Sequence, residues 1–253
     1  MEVWGLGMFM ISACIFAVLL EHPSSALHRS IDNALARRAM MGLAMGGTAV
    51  AIICSPWGQR SGAHLNPAVT LAYWLRGKIA PADAVLYIVA QFTGGAAGVQ
   101  LASLLIGPPV SHMAVNHVVT APGQGGIWVA FAAEFAISFL MMGCILAFSN
   151  DRRIARYTPY AAGMLVALNI TIEAPLSGMS MNPARSAGSS FAAGDWPAWW
   201  VYFTAPPLGM ALASWAYMVI HGSRAIVCAK LHHHNAARCI FRCEHWGATD
   251  QKD

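Results

Sequence analysis

Residues 61–70 read S-G-A-H-L-N-P-A-V-T and residues 177–186 read S-G-M-S-M-N-P-A-R-S. Each stretch sets Asn-Pro at the same distance behind a Ser-Gly pair. Asn is a preferred helix N-cap, and Pro at the next position has a helix-ready φ and no amide hydrogen to leave unpaired. Asn66-Pro67 and Asn182-Pro183 therefore each predict a helix start. The apolar segments that follow, near 67–76 and 183–192, are too short to cross a bilayer, which takes about 20 residues. The Ser-Gly stretches before them read as irregular backbone, tolerated at membrane depth only where it is buried in protein or lines a cavity.

Six longer apolar runs flank these segments, at 2–20, 39–54, 82–106, 127–148, 157–174 and 198–220. The chain repeats itself around them. Tyr87-x-x-Ala90 recurs as Tyr202-x-x-Ala205, and Glu2 and Glu134 open the first and fourth runs. Each half, about 1–110 and 127–221, holds three spans with one short segment between its second and third. An odd number of spans inverts one half against the other, so the short segments enter from opposite faces. The predicted fold class is all-α integral membrane, with six transmembrane helices and two re-entrant half-helices.

Composition points the same way. The chain is 57% hydrophobic and 10% charged, against about 25% charged for a soluble domain. Its mean hydropathy is +0.52. The net charge of +4 is scattered between apolar runs, which argues against a nucleic-acid partner. A signal peptide would open on a basic region, whereas the first run carries Glu2. Lys and Arg gather in segments that share one side, among them Arg76, Lys78, Arg152, Arg153, Arg156 and the tail. The loop at 107–126 has no charge, and Arg29, Arg37 and Arg38 run against the trend. The bias puts both termini in the cytoplasm.

Two helix starts meeting at mid-bilayer bring two positive dipole ends, each about +0.5 charge, beside a pore. Their Asn amides can donate hydrogen bonds to a passing solute, while a cation or proton meets a barrier. Twin N-P-A motifs behind Ser-Gly, comprising Asn66, Pro67, Ala68 and Asn182, Pro183, Ala184, with Arg185 three residues past the second Asn, resemble the aquaporin and glycerol-facilitator family. The resemblance covers about residues 1–221. It implies a passive channel rather than an enzyme, with no cofactor for transport and a homotetramer with one pore per subunit.

By position, the resemblance sets the selectivity filter at Gly46, Ile170, Met179 and Arg185. It sets a ladder of pore carbonyls at Gly62, Ala63, His64, Gly178, Met179 and Ser180. Strict water channels resemble Phe, His, a small residue and Arg at the filter. Gly46 and Ile170 make this ring more apolar and wider, unless the flexible Met179 plugs it. Plant nodulin-like channels for glycerol and metalloid hydroxides have a similar small-plus-aliphatic pattern. Ser186, where glycerol facilitators have Asp, and Tyr202 with Phe203 lean towards water channels. Water, glycerol, urea and metalloid hydroxides all stay open as solutes. Glu2 and Glu134 invite a proton-relay reading; their symmetry favours braces that hold the half-helix loops through backbone N–H groups. His64 reads as a satisfied structural histidine rather than a gate, and Glu173 has no counterpart in the first half.

The tail, 222–253, is polar and contains C-A-K-L-H-H-H-N-A-A-R-C-I-F-R-C-E-H at 228–245. Cys228 and His232 are four apart, as are Cys239 and Cys243. If helical, each pair shares a face, and together they offer zinc four ligands. His233, His234 and His245 are alternative ligands, and Cys228 is a candidate for lipidation. A metal-free amphipathic tail carrying Ile240, Phe241 and Trp246 on the membrane surface is the competing reading. Two rival functions use the same parts: a secondary active transporter, and a solute- or metal-sensing membrane protein with a regulatory tail. A transporter needs ionisable midplane groups, and here the midplane candidates are two Asn residues.

Overall fold

A computed structural model of the protein describes residues 1–244; His245, Trp246 and Lys252 lie outside them. Among the described residues there is no strand. The helices are α1 (Glu2–Glu21), α2 (Ala26–Ser30), α3 (Ala34–Cys54), α4 (Pro56–Ser61), α5 (Pro67–Leu75), α6 (Pro81–Ile106), α7 (Ile127–Ser149), α8 (Thr158–Ile172), α9 (Ala174–Ser177), α10 (Pro183–Ala193) and α11 (Trp199–His221). Six of them (α1, α3, α6, α7, α8 and α11) form the bundle, and α5 and α10 are the two half-helices.

The pairing is that of an inverted repeat. Within the halves, α1 packs on α6 and α7 on α11; between them, α3 packs on α8. Each half-helix leans on the last helix of the opposite half, α5 on α11 and α10 on α6. The α10–α6 approach is close enough that a Cβ on Gly188 would sit 2.4 Å from the carbonyl carbon of Gly95. Small residues let membrane helices meet backbone to backbone in this way.

Four helices, α1, α6, α7 and α11, are long and apolar enough by themselves to cross a membrane. The other two fall short for separate reasons. The second span starts earlier than its apolar run, at Ala34, and so takes in Arg37 and Arg38. The fifth run is broken: α8 stops at Ile172, and the chain turns through Glu173 into α9. The two helices pack on each other and both contribute side chains to a cavity wall. Pro206 and Pro207 sit inside α11 without ending it, as happens in membrane helices whose neighbours satisfy the freed carbonyls. Gly222, at φ 98°, closes α11. From there to residue 244 the chain takes no helix or strand.

Candidate functional site

The two helix starts are tied to each other. The Asn66 side-chain nitrogen donates to the Met181 carbonyl at 2.7 Å, and that of Asn182 donates to the Leu65 carbonyl at 2.8 Å. Each Asn also caps its own helix through Oδ1. Asn66 accepts from the Ala68 amide at 2.8 Å, and Asn182 from the amides of Ala184 at 3.0 Å and Arg185 at 3.3 Å. An amide nitrogen has two hydrogens, so each Asn keeps one for a visitor.

The loops leading in are contorted alike. Ala63 and Leu65 lie at φ 55° and 52°, Met179 and Met181 at 50° and 54°, each pair behind a left-handed glycine, Gly62 or Gly178. A side-chain-bearing residue held there costs on the order of 1–3 kcal/mol and persists only where its surroundings enforce it. Glu134 provides that enforcement in the second half. One of its oxygens accepts from the Ser177 hydroxyl at 2.7 Å and the Ser180 amide at 2.6 Å, and the other from the Met181 amide at 2.7 Å. In the first half Glu2 accepts from the Leu65 amide at 2.7 Å and from Gln91 at 2.8 Å, while Gln91 also donates to Thr70 at 3.1 Å.

Three side chains of this frame had no role assigned from the sequence. Tyr87 donates its hydroxyl to the Ser61 carbonyl, and Tyr202 donates to that of Ser177 at 2.6 Å. The repeated Tyr-x-x-Ala signal pointed at both. Gln91 had no such pointer, since Pro206 stands at the matching offset in the second half.

Between the loops lies a cavity of about 130 Å³. Its wall takes in Ala63, His64, Asn66, Ile170, Met179, Ser180, Asn182 and Arg185 of the expected residues, together with Met41, Met45, Met141 and Met181. Arg185 is half-buried, and its Nη1 is buried without a hydrogen-bond partner, leaving a donor available at the wall. Glu173 is buried off this wall, and neither of its carboxylate oxygens has a partner.

Gly46, Gly62 and Gly178 lie off the wall, and for Gly46 the sequence-based role needs correction. A Cβ there would stand 2.4 Å from the Gly163 carbonyl oxygen and 3.2 Å from the Ala167 Cβ. Gly46 therefore serves the α3–α8 contact, and its neighbour Met45 meets the cavity. Counting back from Asn66 finds the right turn of α3 but not the right face, because one residue is about 100° of rotation on a 3.6-residue helix.

The model of the major intrinsic protein family matches residues 2–217. The chain belongs to this family. It is 35% identical over 175 residues to Aquaporin NIP1-3 of Oryza sativa subsp. japonica, covering 69% of this chain and 59% of that protein. To Aquaporin NIP6-1 of Arabidopsis thaliana it is 36% identical over 178 residues, 70% of this chain and 56% of that one. Aquaporin A of Dictyostelium discoideum is 34% identical over 188 residues, with 72% and 66% covered. The aligned part of the chain spans about three fifths of the length of the curated relatives it matches, 59% for NIP1-3. Its fold is similar to the X-ray structure of the aquaglyceroporin from Plasmodium falciparum, with TM-score 0.67 at 19% identity, covering 85% of this chain and 92% of that one.

The major intrinsic protein match stops at 217, and the residues beyond it return to the cavity. Leu231 is on its wall, and the Leu231 amide donates to the Gly62 carbonyl at 3.3 Å. His64 has both ring nitrogens engaged, Nδ1 with the Thr70 hydroxyl at 3.0 Å and Nε2 with the Ala229 carbonyl at 2.8 Å. Because a carbonyl only accepts, Nε2 carries the proton. Phe241 stacks on the same ring with centroids 5.2 Å apart, and Tyr73 stacks on it at 5.3 Å. Ile226, Ala229 and Leu231 are buried, so this part of the tail is packed against protein rather than laid on a membrane surface.

The tail ligand set expected at Cys228, His232, Cys239 and Cys243 also changes. The ligand atoms of Cys228, His233, Cys239 and Cys243 lie within 4.8 Å of one another. His232 is outside this group. The spacing of four puts residues on one face only in a helix, and this segment is not one. No disulfide joins the described cysteines. Hydrogen bonds from Cys228 and Cys243 hold the Cys239 thiol well below its ordinary pKa, and donation to Cys239 pushes Cys228 up. Burial lowers the pKa of Lys230, against the opposing pull of the cysteines; its ammonium donates to Asn235 at 2.9 Å and to the Ala237 carbonyl at 2.8 Å.

Proposed function

We propose that the protein is a passive transmembrane channel for water and small uncharged solutes that excludes ions and protons. The observation that carries this reading is the reciprocal bonding of Asn66 and Asn182. It fixes two helix N-termini against one cavity and leaves one donor on each Asn for a solute hydroxyl or water. A cation at that point faces two positive dipole ends and, further along, the Arg185 guanidinium. An oxygen acceptor is welcomed by the same groups. This is selection by pore dimension, lining donors and half-helix dipoles, for which aquaporins are the standard example.

Ile170, Met45, Met179, Asn182 and Arg185 act as the solute-sorting part of the wall, with Met45 in the role first given to Gly46. A wall this rich in methionine and isoleucine suits a solute with an apolar carbon face and a hydroxyl edge. Glycerol is therefore the preferred test solute beside water, with urea and uncharged metalloid hydroxides as further candidates. Glu2 and Glu134 act as braces of the loops, each accepting backbone amides, and not as proton carriers. That engagement also speaks against a secondary active transporter, which needs a midplane group free to bind a coupling ion.

The Lys/Arg bias supports cytoplasmic termini, and family membership supports a homotetramer with a pore in each subunit. The chain divides at about residue 221 into a pore unit and a Cys/His-rich tail. Stopped-flow swelling of proteoliposomes tests the function. Glycerol and water entry should rise with protein content and stay the same when a proton or sodium gradient is imposed. Entry that follows either gradient would mean coupled transport.

A further inference from the structure

The tail's four soft ligands and its seat in the cavity belong to one segment, and the two facts explain each other. Ala229 and Leu231 reach the pore loop, meeting His64 and the Gly62 carbonyl. Either side of them stand Cys228 and His233, whose ligand atoms meet Cys239 and Cys243. The segment is moored by three contacts to two cytoplasmic-side connections. The Val227 amide donates to Asn150 at 2.8 Å, the Arg242 amide donates to the Lys78 carbonyl at 3.2 Å, and Lys78 pairs with Glu244 at 3.1 Å. A run of more than twenty residues without helix or strand does not hold such a shape cheaply, because each ordered residue gives up backbone entropy. A cross-link near its middle would offset that cost.

The geometry of the four ligands suits zinc. A zinc–sulfur bond of about 2.3 Å in a tetrahedron sets ligand sulfurs about 3.8 Å apart. Here the Cys228 and Cys239 sulfurs are 3.4 Å apart, and the Cys243 sulfur is 3.8 Å from His233 Nε2. Three thiols and one imidazole make a closed four-ligand set of the structural type, with no open position for chemistry. In a reducing cytoplasm the thiols stay available to metal rather than pairing as disulfides.

We propose that a zinc ion bound by Cys228, His233, Cys239 and Cys243 holds residues 226–241 as a plug in the cytoplasmic end of the pore, so that the channel opens when the metal leaves. The gating half rests on the reading of the chain as a channel; the metal site and the plug do not. Metal binding to an otherwise irregular segment is itself folding free energy, so removing zinc loosens every contact that the segment makes. Leu231 leaves the cavity, the Gly62 carbonyl is released to solute, and His64 loses its tail partner.

The test uses the full chain, purified under reducing conditions. Elemental analysis should find one zinc per chain, and cobalt exchanged for it should give the intense sulfur-to-metal absorption and tetrahedral visible bands of a thiolate site. Cys239→Ser with Cys243→Ser should lose both, while His232→Ala keeps them. Hydrogen exchange reads the plug without any flux: the Leu231 amide should be protected with zinc and at least about tenfold faster after chelation, the loss of one bond closed by a cooperative segment. Proteoliposome swelling should rise severalfold on chelation, and Leu231→Ala should raise it with zinc still bound. Protein that is zinc-free and takes up neither zinc nor cobalt overturns the site, as does a Cys228–Cys239 disulfide in freshly purified reduced protein. Bound zinc with Leu231 exchange unchanged by chelation overturns the plug. Bound zinc, a released Leu231 and no swelling under any condition leaves site and plug standing and contradicts the channel reading and the gating built on it.

Discussion

At the scale of single residues, the two asparagines do two jobs with one amide each. Asn182→Ala removes an N-cap worth about 1 kcal/mol and a cross-loop bond worth about 0.5–1.5 kcal/mol. The variant should melt several degrees lower in detergent and conduct less per folded molecule. Tyr202→Phe tests a contact whose partner the repeated Tyr-x-x-Ala pattern does not specify. It strips the buried Ser177 carbonyl of its 2.6 Å partner, which costs on the order of 1–3 kcal/mol. A melting temperature equal to the parent's would show that water or a shifted neighbour satisfies that carbonyl. Gly46 and Gly47 form a matched pair. A Cβ on Gly46 meets backbone at 2.4 Å, and one on Gly47 meets nothing within 4 Å. Gly46→Ala should therefore destabilise by about 1–3 kcal/mol, as over-packing does, and Gly47→Ala should be close to neutral. Equal melting temperatures for the two variants would return Gly46 to the cavity wall.

At the scale of elements, the half-helices depend on their braces unequally. Glu134 accepts three hydrogen bonds from the loop behind α10, whereas Glu2 accepts one loop amide and the Gln91 side chain. Glu134→Gln turns an amide NH2 towards donors that need an acceptor. It should cost more stability than Glu2→Gln, read as the difference between their denaturation midpoints in one detergent. A larger loss for Glu2→Gln would mean that the first loop leans on its carboxylate alone. Much of this layer was legible in the sequence. Asn-Pro announced both helix starts, and the recurring Ser-Gly, Asn-Pro-Ala and Tyr-x-x-Ala patterns announced the repeat. Those features are local or periodic, so they survive in one dimension. The facing of Gly46 was not legible, because a one-residue miscount turns a helix by about 100°. Gln91 was hidden too, since it reaches Glu2 and Thr70 from an otherwise apolar helix with no partner in the other half.

At the scale of the whole molecule, the pore and the tail obey different rules. The bundle follows from apolar runs and small-residue contacts that can be read in order. The tail's shape comes from contacts far apart in sequence, such as Ala229 with His64 and Val227 with Asn150. No periodicity encodes these, which is why helical spacing suggested His232 where the fold brings His233. The same long-range contacts put both the tail and the 76–80 connection at one mouth. A cysteine at position 111, in the uncharged loop of the opposite side, should be labelled by an impermeant maleimide from outside intact cells. Labelling only after the membrane is opened would invert the orientation. Two opposed helix starts should let neutral solutes pass and stop protons. The most direct measurement of this selection records glycerol entry and internal pH together in metal-free, reduced proteoliposomes, across a series of protein densities. Glycerol permeability should climb with protein density while the internal pH decays at the rate of protein-free vesicles. Proton flux that scales with protein, or glycerol entry that does not, would contradict it.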